Sequence, residues 1–269
     1  MLSSFVFTLA SPTEQPAHAE SYAAAGQALF LQSIAQHAAS LADALHAENQ
    51  TRPYTVSNLW GFRPSVGFVP TQPIFWRITT LDTATTLALS EVILHGALAV
   101  HQWVRFDDVL LQIVTVTNQA SEHEWAGNIS YDALAAPWML ATEFPTASLT
   151  LQMVSPTCFK SDGKYQILPL PQWVFGGLLE KYNTFANVAL SPDVRRFAET
   201  SLVVSGLELH SQVLALKGGR QPGVLGRVRY SATHKDRFWL SACHLLCDFA
   251  FFGGLGRSTS LGMGQARRG

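Results

Sequence analysis

The stretch SLVVSGLELHSQVLAL (residues 201–216) predicts a long β-strand, and GVLGRVRYSA (223–232) predicts a second strand that pairs with it. Between them lies KGGRQP (217–222), whose glycines and proline favour a turn. The hairpin is followed by KDRFWLSACHLLCDFAFF (235–252), a predicted helix. The remaining elements of this half are a strand ASLTLQMVS (147–155), a helix PQWVFGGLLEKYN (171–183) and a short final strand GMGQARR (262–268). The predicted order is therefore β-α-β-β-α-β.

The N-terminal half predicts the same order of elements. Its predicted strands are SSFVFTLA (3–10), YTVSNLWGF (54–62), IFWRITTL (74–81) and VLLQIVTVT (109–117). Its predicted helices are Tyr22–His37, the short ASLADALH (39–46) and TATTLALSEVILHGALAV (83–100), with Asp82 as N-cap. The stretch 120–146 carries Ser, Ala and Pro and predicts a linker or peripheral structure. Two such units indicate an α+β protein with two tandem ferredoxin-like (RRM-like) domains, at residues 1–140 and 146–269.

Composition indicates a globular, cytoplasmic protein. Apolar residues make up 48% of the 269 residues and charged residues 14%, which excludes a disordered chain. No apolar run reaches the ~20 residues that a membrane span needs, so no membrane partner is expected. FVFTLA near the N-terminus is too short for a signal peptide and predicts a strand. An odd count of three cysteines offers no disulfide framework, which suits a reducing cytoplasm.

Charge is divided unevenly along the chain. Residues 195–269 carry eleven Lys and Arg against four acidic residues, whereas residues 1–194 carry seven against fifteen. A basic C-terminal third beside an acidic remainder indicates an anionic partner for that end.

The ending GGLGRSTSLGMGQARRG (253–269) is rich in glycine and hydroxyl groups. It is not a phosphate-binding P-loop, because Met263 follows Gly262 where that motif needs Lys and then Ser or Thr. It is not a dinucleotide fingerprint either, because Thr259 stands where the third glycine should be and a helix precedes it. Glycines allow close backbone approach, and successive N–H groups can form a nest for anions. The alternative is a flexible tail.

Three stretches resemble the CRISPR-associated repeat-RNA endoribonucleases, Cas family six. FFGGLGRSTSLGMGQ (251–265) resembles the family's C-terminal glycine-rich signature. TLQMVSPTCFKSDGKYQILPLPQWVFGGLLEKYN (150–183) resembles the start of the family's second domain. ALHAENQTRPYTVSNLWG (44–61) resembles the segment that holds the family's catalytic histidine. The resemblance implies metal-independent cleavage of CRISPR repeat RNA without a cofactor, by attack of a ribose 2′-OH on the adjacent phosphorus.

The resemblance also implies roles for particular residues. His46 matches the catalytic histidine and can transfer protons near neutral pH. Arg52 stands where some members carry a catalytic lysine, and its guanidinium can brace a phosphorane. The family's tyrosine on the first helix corresponds to Leu31, which can neither ionise nor hydrogen-bond; His37 is a weaker substitute. Without the resemblance, His46 is a capping cation, Arg52 a solvated turn residue and His37 a partly buried core histidine.

RNA binding is assigned to the basic hairpin and to the glycine-rich loop. Arg227 and Arg229 are two residues apart on one strand and share a face. The full predicted set is Lys217, Arg220, Arg227, Arg229, Gly254, Gly256, Arg257, Ser258, Thr259, Ser260 and Gly262. The hairpin alone is also consistent with a solvated edge. The expected partner is CRISPR repeat RNA (crRNA), with other subunits of a CRISPR effector complex as further candidates.

Two other interpretations remain open at this point. Leu31 favours a non-catalytic subunit that binds the repeat RNA without cutting it. An unrelated ferredoxin-like scaffold or enzyme would carry the glycine-rich ending by coincidence. Cys243, His244 and Cys247 offer a zinc-like spacing, but adjacent residues of a helix point about 100° apart, so a reduced structural pair is favoured and no metal site is expected.

Overall fold

A computed structural model describes residues 1–47, 50–161, 163–216 and 219–269. Its elements fall into two units. The first unit comprises Met1–Asn128, Ala215–Gly219 and Ser260–Gly262, and the second Ile129–Leu214, Arg220–Thr259 and Met263–Gly269, counting only residues the structure describes. The predicted division at residues 140 and 146 stays a prediction.

The first unit contains a mainly antiparallel sheet with helices between its strands. In chain order its elements are β1 (Leu2–Ala10), α1 (Ala23–His37), α2 (Ala39–His46), β2 (Tyr54–Val56), β3 (Ile74–Thr80), α3 (Thr83–His95), β4 (Trp103–Phe106), β5 (Val109–Thr117) and β6 (Gly127–Ile129). The strand order is β2-β3-β1-β5-β4, with β6 also paired to β1. Without the added strands β4 and β6, this is the ferredoxin-like arrangement of two central strands flanked by one strand on each side.

One face of this sheet forms the core of the unit. Phe5 pairs with Ile78 and Phe7 with Trp76 across β1 and β3, and all four side chains are buried. Their alternation along the strands puts them on the same face. Phe30 and Ile34 of α1 and Leu89 and Val92 of α3 belong to the same buried cluster. The helices are therefore held to the sheet by apolar burial, as the sequence pattern predicts.

The second unit repeats this topology. Its elements are α4 (Tyr131–Met139), β7 (Ser148–Thr157), β8 (Phe159–Ser161), β9 (Lys164–Gln166), α5 (Pro171–Phe185), α6 (Asp193–Ser201), β10 (Leu202–Leu216), β11 (Gly219–Ala232), α7 (Arg237–Gly253) and β12 (Ala266–Arg268). The sheet order is β10-β11-β7-β12, and β8 pairs with β9 as a separate hairpin. The predicted tandem ferredoxin-like folds are confirmed.

The structure departs from the sequence predictions in several segments. The helix predicted over 83–100 ends at His95, and strands β4, β8 and β9 have no counterpart among the predicted elements. The stretch 120–146 is not a simple linker, because it contains β6 and α4, and Ser130 caps α4 by accepting a hydrogen bond from the Ala133 N–H. Helix α6 was not predicted. Strand β2 ends at Val56, whereas the sequence predicted a strand to residue 62. Asp82 caps α3 as predicted, accepting from the Thr85 N–H at 2.7 Å. Among the described residues, no helix has the length and hydropathy needed to cross a membrane.

Candidate functional site

His46 is the last residue of α2 and is exposed. Helix α2 buries Ala42 and Leu45 in the core, which leaves its terminal histidine outside. The imidazole makes no hydrogen bond or ion pair with another described residue. It is therefore open to a ligand.

His37 is also exposed, at the end of α1. The prediction of a partly buried core histidine is wrong for this residue. Its ring lies against the backbone of Gly96, where an added Cβ would come 2.7 Å from Cε1. Because Gly96 has no side chain, the His37 ring has room to lie against it at the surface. Leu31, in the preceding turn, is buried and belongs to the core cluster.

Arg52 precedes β2 and is partly buried. Its Nη1 donates a hydrogen bond to Ser260 Oγ at 2.9 Å. Arg52 and Ser260 belong to the same unit although 208 residues separate them in sequence. Among the described residues, Arg52 makes no ion pair with a carboxylate, so the oxygen that holds its guanidinium, Ser260 Oγ, is neutral.

The glycine-rich loop, residues 254–265, repeatedly adopts left-handed backbone conformations. Gly254, Gly256 and Gly262 have φ of 66°, 70° and 86°, and Ser258 has φ of 56° although it is not glycine. An added Cβ at Gly262 would come 2.5 Å from Ala23 Cβ. Glycine is required here for both the conformation and the close approach.

Several amides of this loop bind protein carbonyls. Leu255 N–H donates to Gly264 O at 2.8 Å, Arg257 N–H to Cys158 O at 2.9 Å, and Gly262 N–H to Val56 O at 2.9 Å. The N–H groups of Gly256 and Ser258 have no such partner among the described residues. Only the exposed part of the loop, which contains Gly256 and Arg257, is therefore available to bind an anion as predicted.

The hydroxyl groups of the loop already have partners within the protein. Thr259 and Ser260 are buried, at 7% and 6% exposure, and accept hydrogen bonds from Lys181 and Arg52, respectively. Ser258 Oγ lies 3.4 Å from Gln221 Oε1. These hydroxyls fix the loop, which leaves Arg257 as its exposed charged group.

Lys181, on α5, is not among the site residues predicted from the sequence. Its Nζ donates to Gly253 O at 2.7 Å and to Thr259 Oγ1 at 3.1 Å, so one ammonium joins the end of α7 to the glycine-rich loop. Burial lowers the pKa of Lys181 to about 8, against a small opposing effect of Glu180. The signal in the sequence was its spacing: with Val174 and Leu178, it falls on the buried face of an amphipathic helix.

We expect the contribution of Lys181 to stability to rise with pH. Its pKa of about 8 in the folded protein lies below the ~10.4 of an unfolded chain, so between these values the unfolded state binds more protons. The free energy of unfolding of the native protein, minus that of Lys181→Met, should increase by about 2 kcal/mol between pH 8 and pH 10. Urea denaturation of both proteins measures it. The mutant shares every other titrating group and is the control; a constant difference would contradict the prediction.

The basic hairpin presents its arginines as the strand spacing predicts. Arg227 and Arg229 are exposed, whereas Val228 and Tyr230 between and beside them are fully buried. Arg220 is exposed at the start of β11. Lys217 lies outside the described residues.

A third arginine, which is not among the predicted RNA-binding residues, lies in register with this strand. Gln152 of β7 pairs with Arg227 on one side and with Arg267 of β12 on the other. Arg267 Nε lies 3.4 Å from Gln152 Oε1. Because cross-strand partners share a face, these three residues form a polar row across the sheet.

The Cys243, His244 and Cys247 group is buried in α7. His244 Nε2 lies 2.8 Å from Thr146 O, and its Nδ1 lies 2.9 Å from Arg268 Nη1. The ring also stacks on Trp138, with centroids 4.5 Å apart. Both ring nitrogens are therefore engaged in hydrogen bonds within the second unit.

Comparisons with known proteins support the resemblance seen in the sequence. Residues 151–266 match the family model described as CRISPR-associated endoribonuclease Cas6. The CRISPR-associated endoribonuclease Cas6 of Streptococcus thermophilus is 26% identical over 112 residues, which cover 41% of this chain and 46% of that protein. The match thus spans less than half the length of this curated relative.

Solved structures extend the likeness of fold to the whole chain. Two Cas6 product complexes have TM-scores of 0.80 and 0.82 at 22% and 24% identity, covering 100% of this chain and 99% and 100% of theirs. Thermus thermophilus Cas6 has a TM-score of 0.74 at 22% identity, covering 100% of this chain and 98% of its own. The second unit is thus similar in sequence to the CRISPR-associated endoribonuclease Cas6 family, and the whole chain shares the fold of Cas6 structures.

Proposed function

We propose that this protein is a metal-independent endoribonuclease that cleaves CRISPR precursor RNA within its repeats. The observation that carries the proposal is the bond between Arg52 Nη1 and Ser260 Oγ, at 2.9 Å. It joins the segment that resembles the family's catalytic region to the glycine-rich signature, in the unit that also carries the exposed His46. The similarity to proteins described as CRISPR-associated endoribonuclease Cas6 supplies the expectation of ribonuclease activity.

The proposed reaction is an internal transfer at phosphorus. The ribose 2′-oxygen forms a bond to the adjacent phosphorus as the bond to the 5′-oxygen breaks, and the 2′-hydroxyl gives up its proton while the leaving 5′-oxygen gains one. The products are a 2′,3′-cyclic phosphate, which can open to a 3′-phosphate, and a 5′-OH. His46 transfers a proton, and Arg52 stabilises the charge that develops on the phosphorane oxygens.

RNA binding is the proposed role of the basic surface of the second unit and of the glycine-rich loop. Arg220, Arg227 and Arg229 are exposed on β11, and Arg257 is exposed in the loop. Guanidinium groups bind phosphate in two-pronged geometry, and such binding weakens as salt rises. Similar solved structures are Cas6 product complexes and a Cas6 substrate mimic complex. These complexes support CRISPR repeat RNA as the ligand here.

The proposal is tested with the end-labelled repeat RNA of the neighbouring CRISPR array, incubated with the protein in EDTA. We expect cleavage at one position, and none when the nucleotide before the cut carries a 2′-deoxyribose, because the attacking oxygen is then missing. Cleavage of the deoxy substrate, or cleavage that requires a divalent metal ion, would contradict the mechanism. A folded protein that neither binds nor cuts the repeat would refute the function.

A second candidate function is that of a non-catalytic subunit that holds the repeat RNA. The observation that favours it is Leu31, a buried core residue at the position of the family's tyrosine. The same assay separates the two functions, because tight and salt-sensitive binding without any cleavage would identify the non-catalytic subunit.

A further inference from the structure

The glycine-rich loop reaches the surface in one short arc, residues 256–258. Gly256 and Arg257 are exposed and Ser258 is half-buried, whereas residues 253–255 before them and Thr259 after them are buried. Arg257 therefore lies at the tip of an arc whose two ends are inside the second unit. The bonds that hold those two ends decide where the Arg257 guanidinium can go.

One ammonium group bonds both ends of the arc. Lys181 Nζ donates to the carbonyl oxygen of Gly253 at 2.7 Å and to Thr259 Oγ1 at 3.1 Å. Gly253 is the last residue of α7, and Thr259 is the first buried residue after the arc. The two bonded residues are only six positions apart in the chain, so Lys181 spans the base of the arc.

Thr259 passes this restraint on to the backbone of the loop. Its methyl group fills the space beside Gly254 and Gly264, where an added Cβ would come 3.0 Å and 2.9 Å from Thr259 Cγ2. The Leu255 N–H donates to the Gly264 oxygen at 2.8 Å. The Thr259 side chain is thus held in one orientation, with its methyl group packed against glycines and its hydroxyl bonded to Lys181.

A role in helix capping alone is the alternative for Lys181. The last carbonyl groups of a helix form its negative end, where a cation is stabilising. The bond to Gly253 serves that purpose, but the bond to Thr259 does not, because Thr259 lies beyond the helix. Burial lowers the pKa of Lys181 to about 8, so the group is mainly charged at pH 7 and donates both bonds.

We infer that Lys181 is a positioning residue for RNA binding, which ties Gly253 to Thr259 and so holds the arc in the form that presents Arg257 to a phosphate of the RNA. The inference rests on the proposed function, since it gives the arc a role in holding the repeat RNA. Ordering the arc before the RNA arrives removes that cost from binding. Lys181 acts through Arg257 and does not itself touch the RNA.

The test is the dissociation constant of the repeat RNA for Lys181→Met, measured by fluorescence anisotropy over a series of salt concentrations. Loss of one ordered arginine–phosphate contact should raise the constant about 10-fold. It should also lower the slope of log affinity against log salt by about 1. Arg257→Ala should give the same two changes directly. Thr259→Val removes the hydroxyl that accepts from Lys181 and serves if Lys181→Met folds poorly.

Two exposed residues of the same unit supply matched controls. Lys235→Met removes the same charge, but Lys235 precedes α7, whose 17 residues span about 25 Å between it and the loop. Thr184→Val makes the same exchange on α5, where the Thr184 hydroxyl donates within the helix to Glu180 O at 2.7 Å. Both controls should bind the RNA within about 2-fold of the native protein.

A double-mutant cycle separates positioning from a structural role. If Lys181 acts through Arg257, Lys181→Met should raise the dissociation constant less than about 2-fold further in the Arg257→Ala background, and the salt slope should not change again. A lysine that only caps α7 would lower the free energy of unfolding when replaced, but leave the affinity and the salt slope of the folded protein as they are.

The outcomes distinguish the inference from the proposed function. A native protein that does not bind the repeat RNA refutes the function and the inference with it. Native binding with Lys181→Met and Thr259→Val both as tight as their controls overturns the inference and leaves the function standing. A loss in Lys181→Met that multiplies fully with that of Arg257→Ala also overturns it. Binding is measured without cleavage, so the test applies equally to a non-catalytic subunit.

Discussion

His46→Ala is expected to slow cleavage of the repeat RNA by about 10²–10⁴-fold, the usual contribution of a positioned acid–base group. Binding should change little, because the proposed RNA contacts come from arginines and from the loop. The imidazole is exposed and makes no hydrogen bond to another described residue, so its removal leaves no buried group unsatisfied. The measurements are the single-turnover rate, the dissociation constant and the melting temperature.

His37→Ala is the matched control for this variant. His37 is likewise an exposed histidine in the last turn of a helix, one helix earlier in the same unit. It should retain nearly native cleavage. A severe loss in His37→Ala with nearly native activity in His46→Ala would transfer the proton-transfer role to His37, and nearly native activity in both would remove histidine from the mechanism.

The order of elements was predictable because each element has its own local signal. The composition of the basic hairpin and the turn residues between its strands predict β10 and β11. Pro171 and Asp236 stand at the starts of α5 and α7, where such residues are favoured. Helix α6 gives a weaker signal: it follows Pro192 and is the most polar of the helices described here, although it buries Val194 and Phe197. So polar a segment gives too weak an apolar periodicity for the sequence to predict a helix there.

The polar interior was not predictable, because it depends on which strands become neighbours. Arg77 in IFWRITT is fully buried and donates to Ser4 Oγ and Trp125 O at 2.8 and 3.0 Å. No local pattern distinguishes it from an exposed strand arginine. Burial lowers its pKa to about 9.

The candidate site also has a part that local sequence predicts and a part that depends on which segments become neighbours. His46 and Arg52 were found by resemblance, and the alternation of Arg227 and Arg229 follows from strand geometry. The contact between Arg52 and Ser260 requires that two segments 208 residues apart in the sequence meet. A sequence pattern contains the residues of such a contact but not their proximity.

Gly256→Ala is expected to reduce the free energy of unfolding by about 2–4 kcal/mol and to weaken RNA binding. Gly256 has φ of 70°, and its Cβ would overlap the carbonyl oxygen of Cys158. That oxygen accepts from the Arg257 N–H at 2.9 Å, so moving it away breaks the bond that places Arg257. Because Arg257 is the exposed charge of the loop, the same displacement should lower RNA affinity. Urea denaturation and a binding titration measure the two effects.

Gly163→Ala isolates the cost of backbone conformation from the cost of the overlap. Gly163 has φ of 78°, close to that of Gly256, but an added Cβ there would meet no atom within 4 Å. The free energy of unfolding of this variant should fall by only about 1 kcal/mol, the cost of alanine in a left-handed conformation, and its RNA binding should be normal. Equal losses in the two variants would mean that the loop yields to the added methyl group and that its close approach to Cys158 is dispensable. A larger loss confined to Gly256→Ala, in stability and in RNA affinity together, would mean that the glycine-rich ending is a rigid support for Arg257 rather than a flexible tail.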